Sequence, residues 1–552
     1  MIGNSFRKAL RFIAFSAGLI ALGGCPGGGG GPGAPITPPP MGGGGNPGGS
    51  VPDWTMGVFE PASTFKDRCE APRTGVDIEG NPFPDRTGST TLENFWLRSW
   101  TEETYLWNDE VTDRDPRTFD DRLEYFDLLR TFEVTPSGED KDDFHFAQTT
   151  EEFLQSRTSA PTASYGVSFA ALSTTPPRDF RVRYTDANTP ASTLDENGLP
   201  PFLRGARIVE IDGADFINGD DVDTLNDGLF PATAGESHDF LMRDPDGTER
   251  LVTLISADLA RDPVNRVEVI ETPSGPVGYV LFNTFSPFAS EADIVEAFEE
   301  LSAEGVTDLV LDLRYNGGGL LAVASQLSYM IAGPAFTTGR TFEQLRFNDD
   351  AGAFNPVTGE PNDPIPFFSE TLGFSLSAGA PLPDLRDVNR VFILSTESTC
   401  SASEAVINGL RGVDFEVILI GDTTCGKPFG FFPQDNCGIT YFTIQFQGTN
   451  DQGFGDFADG FIPMDSPDPF GVRIDGCQVV DDLTGTLGDP GEKLLSAALS
   501  FRETGSCPAG LAAEASLPRS GPQSSADDPM AITLPLDVPG TNLDMRTPGD
   551  AP

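Results

Sequence analysis

Residues 307–319 read Thr307-Asp308-Leu309-Val310-Leu311-Asp312-Leu313-Arg314-Tyr315-Asn316-Gly317-Gly318-Gly319. The run Thr307–Leu313 is apolar enough to predict a strand buried on both faces. The glycine cluster then breaks the chain, and a helix is expected near Leu320–Ile331. Working outward, Val277–Phe282 is a second strand. Ser290–Glu304 is an amphipathic helix with Ile294, Phe298 and Leu301 on one face, Ser290 and Asp293 as its capping box, and Gly305 as its stop. Downstream come a strand at Arg390–Ser395, a helix at Ala402–Arg411 and a buried strand at Phe415–Ile420. Residues 333–388, rich in Pro, Gly and Asp, read as an irregular insertion. Repeated strand–helix–strand units imply an α/β core over residues 261–502 with a mostly parallel sheet and right-handed crossovers.

The flanks differ in character. Residues 92–130 predict a helical stretch in a small N-terminal domain (51–155), with Trp96, Trp100 and Trp107 on one face. Residues 156–260 predict a β module. Its strands are Asp179–Tyr184, Ala206–Ile211, His238–Arg243 and Arg250–Ile255, with Asp212-Gly213 and Asp246-Gly247 as turns. Residues 1–24 read as a signal peptide, with Arg7, Lys8 and Arg11 before an apolar run from Phe12 to Leu22. Leu22-Gly23-Gly24-Cys25 resembles a bacterial lipobox, which implies a lipid on Cys25. Residues 26–50 hold 12 Gly and 7 Pro and predict a tether reaching about 25–30 Å as a flexible coil. The expectation is a bacterial cell-envelope protein, anchored to a membrane only through lipid. Residues 503–552 lack periodicity and predict a mainly disordered tail, within which Met530–Val538 is an apolar stretch able to dock.

Composition narrows the function. Among 552 residues, 84 Asp and Glu stand against 35 Lys and Arg, a formal charge of −49. Such a field repels nucleic acid and anionic lipid head groups. There are two histidines, His145 and His238, which excludes histidine-rich zinc sites and leaves few imidazoles for a Ser-His-Asp triad. Asp221-Val222-Asp223 starts like a calcium loop but continues with Thr224-Leu225, where a ligand is wanted. No metal and no cofactor is expected. Beyond Cys25, six cysteines remain (Cys69, Cys400, Cys425, Cys437, Cys477, Cys507), enough for three disulfides whose pairing the spacing leaves open.

In open α/β sheets, sites form beyond the carboxyl ends of the strands. Three unusual segments fall there: Asn316–Gly319, Cys400–Glu404 opening a helix, and Gly421–Gly426 followed by Lys427. A serine hydroxyl needs a base to become a nucleophile. A lysine supplies one if burial disfavours its ammonium, whereas an arginine stays protonated. Lys427 is the one lysine between Lys141 and Lys493. Glycines allow backbone N–H groups to approach a developing oxyanion, and the helix dipole at Ser401 adds to them.

Asp312–Gly319, then Ser401-Ala402-Ser403-Glu404, then Gly426-Lys427 with Lys427 twenty-six residues after Ser401, together resemble the C-terminal processing (tail-specific) peptidases. The resemblance covers roughly residues 90–500. It implies a crotonase-like core with an inserted PDZ domain, Ser401 as nucleophile and Lys427 as general base. It also implies an oxyanion hole from the N–H groups of Ala402 and of Gly318 or Gly317. Glu404 is expected to orient the helix start. Leu203–Gly213 is similar to a PDZ strand and turn, which places Tyr165, Gly166, Val167, Ser168 and Phe169 where such domains receive a peptide C-terminus. Polypeptides are therefore the expected substrates, selected by their C-termini. The sequence departs from the family at Pro428 and Phe431, where many relatives have Gly and a Gln that orients the lysine; Gln434 is the nearby substitute. If Ser401 and Lys427 meet, Cys400 and Cys425 are close enough to bond, with Cys425–Cys437 as the rival pairing. The reading from another class is a catalytically weak peptide-binding or scaffolding lipoprotein on the same fold.

Overall fold

The computed structural model describes residues 51–158, 160–509 and the two-residue strand Leu543–Asp544. The signal-peptide, lipobox and tether readings, including Cys25, lie outside the described residues, as does most of the tail. None of the described helices is long and apolar enough to cross a membrane.

Six strands form the central sheet, in the order Val264–Ile270, Val277–Phe282, Asp308–Asp312, Arg390–Ser395, Glu416–Gly421 and Gly476–Gln478. The first pair is antiparallel and the other pairs are parallel. Alternate residues of each strand serve opposite faces. Leu309, Leu311, Val391, Ile393, Val417 and Leu419 pack under the helices Ser290–Glu304, Leu321–Thr337 and Ala402–Gly412. Val310, Phe392, Leu394, Ile418 and Ile420 pack on the opposite face with Leu494, Leu495 and Ala498 of the helix Lys493–Thr504. Burial on both faces is why these strands read as continuous apolar runs.

The helix Ser290–Glu304 has the expected bounds, and Gly305 ends it in the left-handed region at φ 66°. The expected capping box is absent: Ala289 occupies the cap position, and the Ser290 hydroxyl donates to the Phe285 carbonyl instead. The insertion is not wholly irregular, because Thr341–Arg346 pairs with Phe446–Thr449.

A second, antiparallel sheet runs Glu249–Ile255, Ser237–Arg243, Arg207–Ile211, Asp179–Thr185, Val167–Ser173. It has its own core of Phe180, Val182, Ile208, Phe240 and Met242. Asp212 (φ 50°) and Gly213 (φ 80°) make the expected turn. Asp221 accepts from the Thr224 N–H and caps the helix Val222–Leu229.

The N-terminal helix is shorter than the periodicity predicts. It spans Thr90–Thr104 and is followed by 3-10 turns at Asn108–Glu110 and Pro116–Thr118 and a short helix at Arg122–Phe126. Asp115 and Asp121 accept N–H groups two residues on, and such local bonds compete with helix continuation. Trp96 and Trp100 stack at 5.1 Å, whereas Trp107 lies past the helix end against Tyr105 and Phe429. This segment is joined to the core chain. Phe146–Thr149 pairs with Ile439–Phe442, and a Cys69–Cys437 disulfide closes the same junction.

Candidate active site

The carboxyl ends of three adjacent parallel strands, Asp308–Asp312, Arg390–Ser395 and Glu416–Gly421, lead into the three segments singled out above. Asn316 organises the first. Its Nδ2 donates to the Phe282 carbonyl at 2.9 Å, and its Oδ1 accepts the Gly318 N–H at 2.9 Å. Its own carbonyl accepts from the Cys400 N–H and the Ser403 hydroxyl, both at 3.0 Å. One buried side chain and its carbonyl thus fix the glycine turn against the serine loop. The sequence marked Asn316 only as part of a motif.

Ser401 sits at the start of the helix Ala402–Gly412 with φ 60° and ψ −114°. A β-carbon-bearing residue in this region is strained by about 1–3 kcal/mol and persists only where its surroundings impose it. Glycine is required opposite it. Gly318 has φ 105°, and a β-carbon there would stand 2.8 Å from Ser401 Cβ and 3.1 Å from the Ala402 N. The Gly318 N–H is engaged by Asn316, while the Gly317 N–H makes no hydrogen bond among the described residues. The Ala402 N–H, at the first helical position, has no intrahelical acceptor. Ser401 is 1% exposed, and its Oγ has no hydrogen-bond partner among the described residues.

Glu404 gathers the other two segments. Its buried carboxylate accepts the N–H groups of Ser401 (2.9 Å), Gly426 (2.8 Å) and Lys427 (2.8 Å), and the Thr424 hydroxyl (2.6 Å). Burial pushes its pKa up, and these four donors oppose the rise. The expected role at the helix start is correct but incomplete, since one carboxylate spans the serine loop and the lysine loop. A Cys400–Cys425 disulfide bridges the same two loops, with Cα atoms 5.3 Å apart. The rival Cys425–Cys437 pairing is excluded, because Cys437 is bonded to Cys69.

Lys427 is fully buried. Its Nζ lies 4.4 Å from the ring centre of Phe144 and 4.6 Å from that of Phe431. Burial lowers its pKa to about 7, and the charges of Asp142 and Glu404 pull it back up. Phe431 therefore places a ring on the ammonium. Gln434, the nominated substitute, donates to its neighbour's Pro433 carbonyl at 3.2 Å. Phe144 and Asp142 carried no sequence signal, being more than 280 residues from Lys427.

Neither histidine lies on the serine or the lysine loop. His145 hydrogen-bonds the Phe126 carbonyl at 2.9 Å and the Thr443 hydroxyl at 3.0 Å, and burial lowers its pKa to about 4. His238 pairs with Asp212 in the β module.

Of the expected peptide-binding residues, Tyr165 is a core residue, 2% exposed, whose hydroxyl donates to the Gly228 carbonyl. The Gly166 N–H bonds the Ser164 hydroxyl at 3.3 Å. Val167, Ser168 and Phe169 open the strand Val167–Ser173, which lies at the edge of its sheet. A cavity of about 710 Å³ runs from Ala170 and Leu172 of that strand to Phe144, Cys400, Cys425 and Gly426.

Residues 276–435 match peptidase family S41. Over 216 residues the chain is 25% identical to a carboxyl-terminal-processing protease of Picosynechococcus sp.; the match takes in 38% of this chain and 44% of that protein. The chain thus spans less than half the length of this curated relative. A solved structure assigned to the S41 proteases, from Bacteroides fragilis, aligns over 74% of this chain and 97% of its own, with 22% identity and a TM-score of 0.54. The photosystem II D1 C-terminal processing protease aligns over 71% and 94%, with 19% identity and a TM-score of 0.39.

Proposed function

From the S41 peptidase match over residues 276–435, we propose that this chain is a serine endopeptidase working through a Ser401/Lys427 dyad, tethered to a membrane by a lipid on Cys25 and acting on exported polypeptides. The observation that carries the reading is the Glu404 carboxylate, which holds the N–H groups of both Ser401 and Lys427 and so sets the two residues on either side of one buried anchor. Lys427, lowered to about 7, is largely neutral at mildly alkaline pH and able to take the serine proton. Ser401 Oγ attacks the peptide carbonyl. The oxyanion is received by the Ala402 N–H and the Gly317–Gly318 turn. Lys427 returns the proton to the leaving amine, and an acyl-enzyme remains. The lysine then takes a proton from water, which attacks the ester; as the intermediate collapses, that proton passes to Ser401 Oγ and the new carboxyl end departs.

In this reading the β module is PDZ-like and the central sheet is a crotonase-like core. A substrate C-terminus adds to the edge strand Val167–Ser173 and threads through the adjoining cavity toward the dyad. The test uses the full chain in detergent, beside Ser401→Ala and Lys427→Ala, with an unfolded protein substrate at pH 8–9. Cleavage by the parent and its loss in both variants is the expected result. A parent that binds the substrate without cutting it would instead establish the peptide-binding lipoprotein.

A further inference from the structure

The N-terminal segment reaches into the base's pocket, from well outside residues 276–435, the stretch that matches the peptidase family model. Phe144 presents its ring to the Lys427 ammonium at 4.4 Å. Its N–H is held at 3.1 Å by Asp142 Oδ1. Asp142 is fully buried and is itself pinned: its Oδ2 accepts the Tyr105 hydroxyl at 2.6 Å, and its carbonyl accepts from Arg130. Tyr105 caps the C-terminus of the helix Thr90–Thr104, and its hydroxyl accepts the Thr131 N–H at 3.0 Å. A continuous set of contacts therefore runs from the N-terminal helix through Tyr105, Asp142 and Phe144 to Lys427.

We propose that Asp142 and Phe144 are positioning residues for Lys427, the carboxylate and the ring together setting how readily the lysine gives up its proton. The inference rests on Lys427 being the base. An anion and the face of an aromatic ring both favour an ammonium in a dry pocket. The charged groups acting on Lys427 are Asp142 from the N-terminal segment and Glu404 from the peptidase core, with Phe431 as the second ring. Near Asp142 stand Arg130, Tyr105 and His145; the last approaches the Asp142 carboxylate at 3.8 Å and is neutral above about pH 4. Glu404 spends its oxygens on four donors of the two loops. Asp142 is the carboxylate supplied from outside them.

The sign is counterintuitive. Asp142→Asn keeps one acceptor oxygen for the Phe144 N–H, turns its NH2 toward the Tyr105 hydroxyl as a donor, and removes the charge. The neutral lysine then becomes easier to form, so activity extends to lower pH. Two measurements on the full chain test this. The first is the pH profile of kcat/KM. The second is the 13Cε titration of Lys427 in protein labelled at lysine, which is readable because the chain has five lysines and is assigned by Lys427→Met. Asp142→Asn is expected to move both midpoints down by about one pH unit, and Phe144→Leu to move them in the same direction by less. Unmoved or raised midpoints in the two variants would overturn the proposal, whatever their absolute rates. A role confined to folding would scale the rate and leave the midpoints in place. The lysine titration needs no substrate, so a parent that failed to cleave would refute the peptidase reading while the NMR shift still decided this one.

Discussion

Lys427 is a charged residue made to live without water, and its substitution separates chemistry from stability. In the unfolded chain its pKa returns to the ordinary 10.5, whereas the folded value is about 7. The folded state thus bears a penalty that is complete below pH 7 and fades as pH rises toward 10.5, on the order of several kcal/mol at neutrality. Lys427→Met should therefore abolish cleavage and raise Tm at pH 6–7, with the gain shrinking toward pH 10; equal or lower Tm at every pH would show that burial does not depress the folded lysine's titration. Lys427→Arg should be equally inactive, because a guanidinium stays protonated. At Gly318, the β-carbon of Ala would meet Ser401 and the Ala402 N. Gly318→Ala is expected to lower kcat/KM by about 10²-fold or more, the scale of a lost oxyanion donor, while the chain still melts cooperatively. A variant within a few-fold of the parent would mean that the turn does not meet the reacting carbonyl.

Among the elements, the edge strand Val167–Ser173 carries the specificity argument. Strand addition satisfies a peptide's backbone regardless of sequence, so discrimination falls to the chain end. Peptides with a free C-terminal carboxylate should be cut faster than their amides, with the difference in KM rather than kcat. Equal cutting of both forms would detach the module from substrate choice. The elements themselves differ in how well the sequence announced them. The parallel strands and the helix Ser290–Glu304 were legible because burial on two faces, or on one helical stripe, leaves a periodic trace. The serine and lysine segments were legible because chain order puts them at one sheet edge. The stop of the N-terminal helix at Thr104 was not, since Tyr105 turns extended and the Leu106 N–H goes to the Ile444 carbonyl, a partner distant in the chain. Nor were Asp142 and Phe144, whose pocket exists only once Phe146–Thr149 has paired with Ile439–Phe442. A long-range pairing leaves no mark on a local window. The Ser290 cap failed for a local reason: the helix begins at Ser290 itself, with Ala289 at the cap position, and the Ser290 hydroxyl donates to the Phe285 carbonyl.

On the scale of the molecule, the modules are tied rather than strung together. Arg204 of the β module reaches Asp481 and the Tyr315 hydroxyl, both at 2.7 Å, in a buried network that continues through Arg314 to Asp312 and Glu492. Removing one partner of a buried ion pair leaves an uncompensated charge, at a cost of about 3–5 kcal/mol, so Arg204→Ala should lower Tm markedly. Loss of the free-acid preference at a temperature where Arg204→Ala remains folded is the further expectation, and its persistence would show that the module needs no fixed docking. The Cys400–Cys425 bridge bears on the chain's history as well as its shape. A protein-cutting enzyme endangers the cell that synthesises it. In the proposed dyad, the loop carrying Ser401 and the loop carrying Lys427 are stapled only after two thiols have surrendered their electrons. A newly made chain in a reducing environment is then expected to be folded but slow, and to quicken when oxidised glutathione is supplied. Matched rates before and after oxidation would sever that link. If the link holds, competence arrives with departure from the compartment of synthesis, and the danger is deferred until the substrates are in reach.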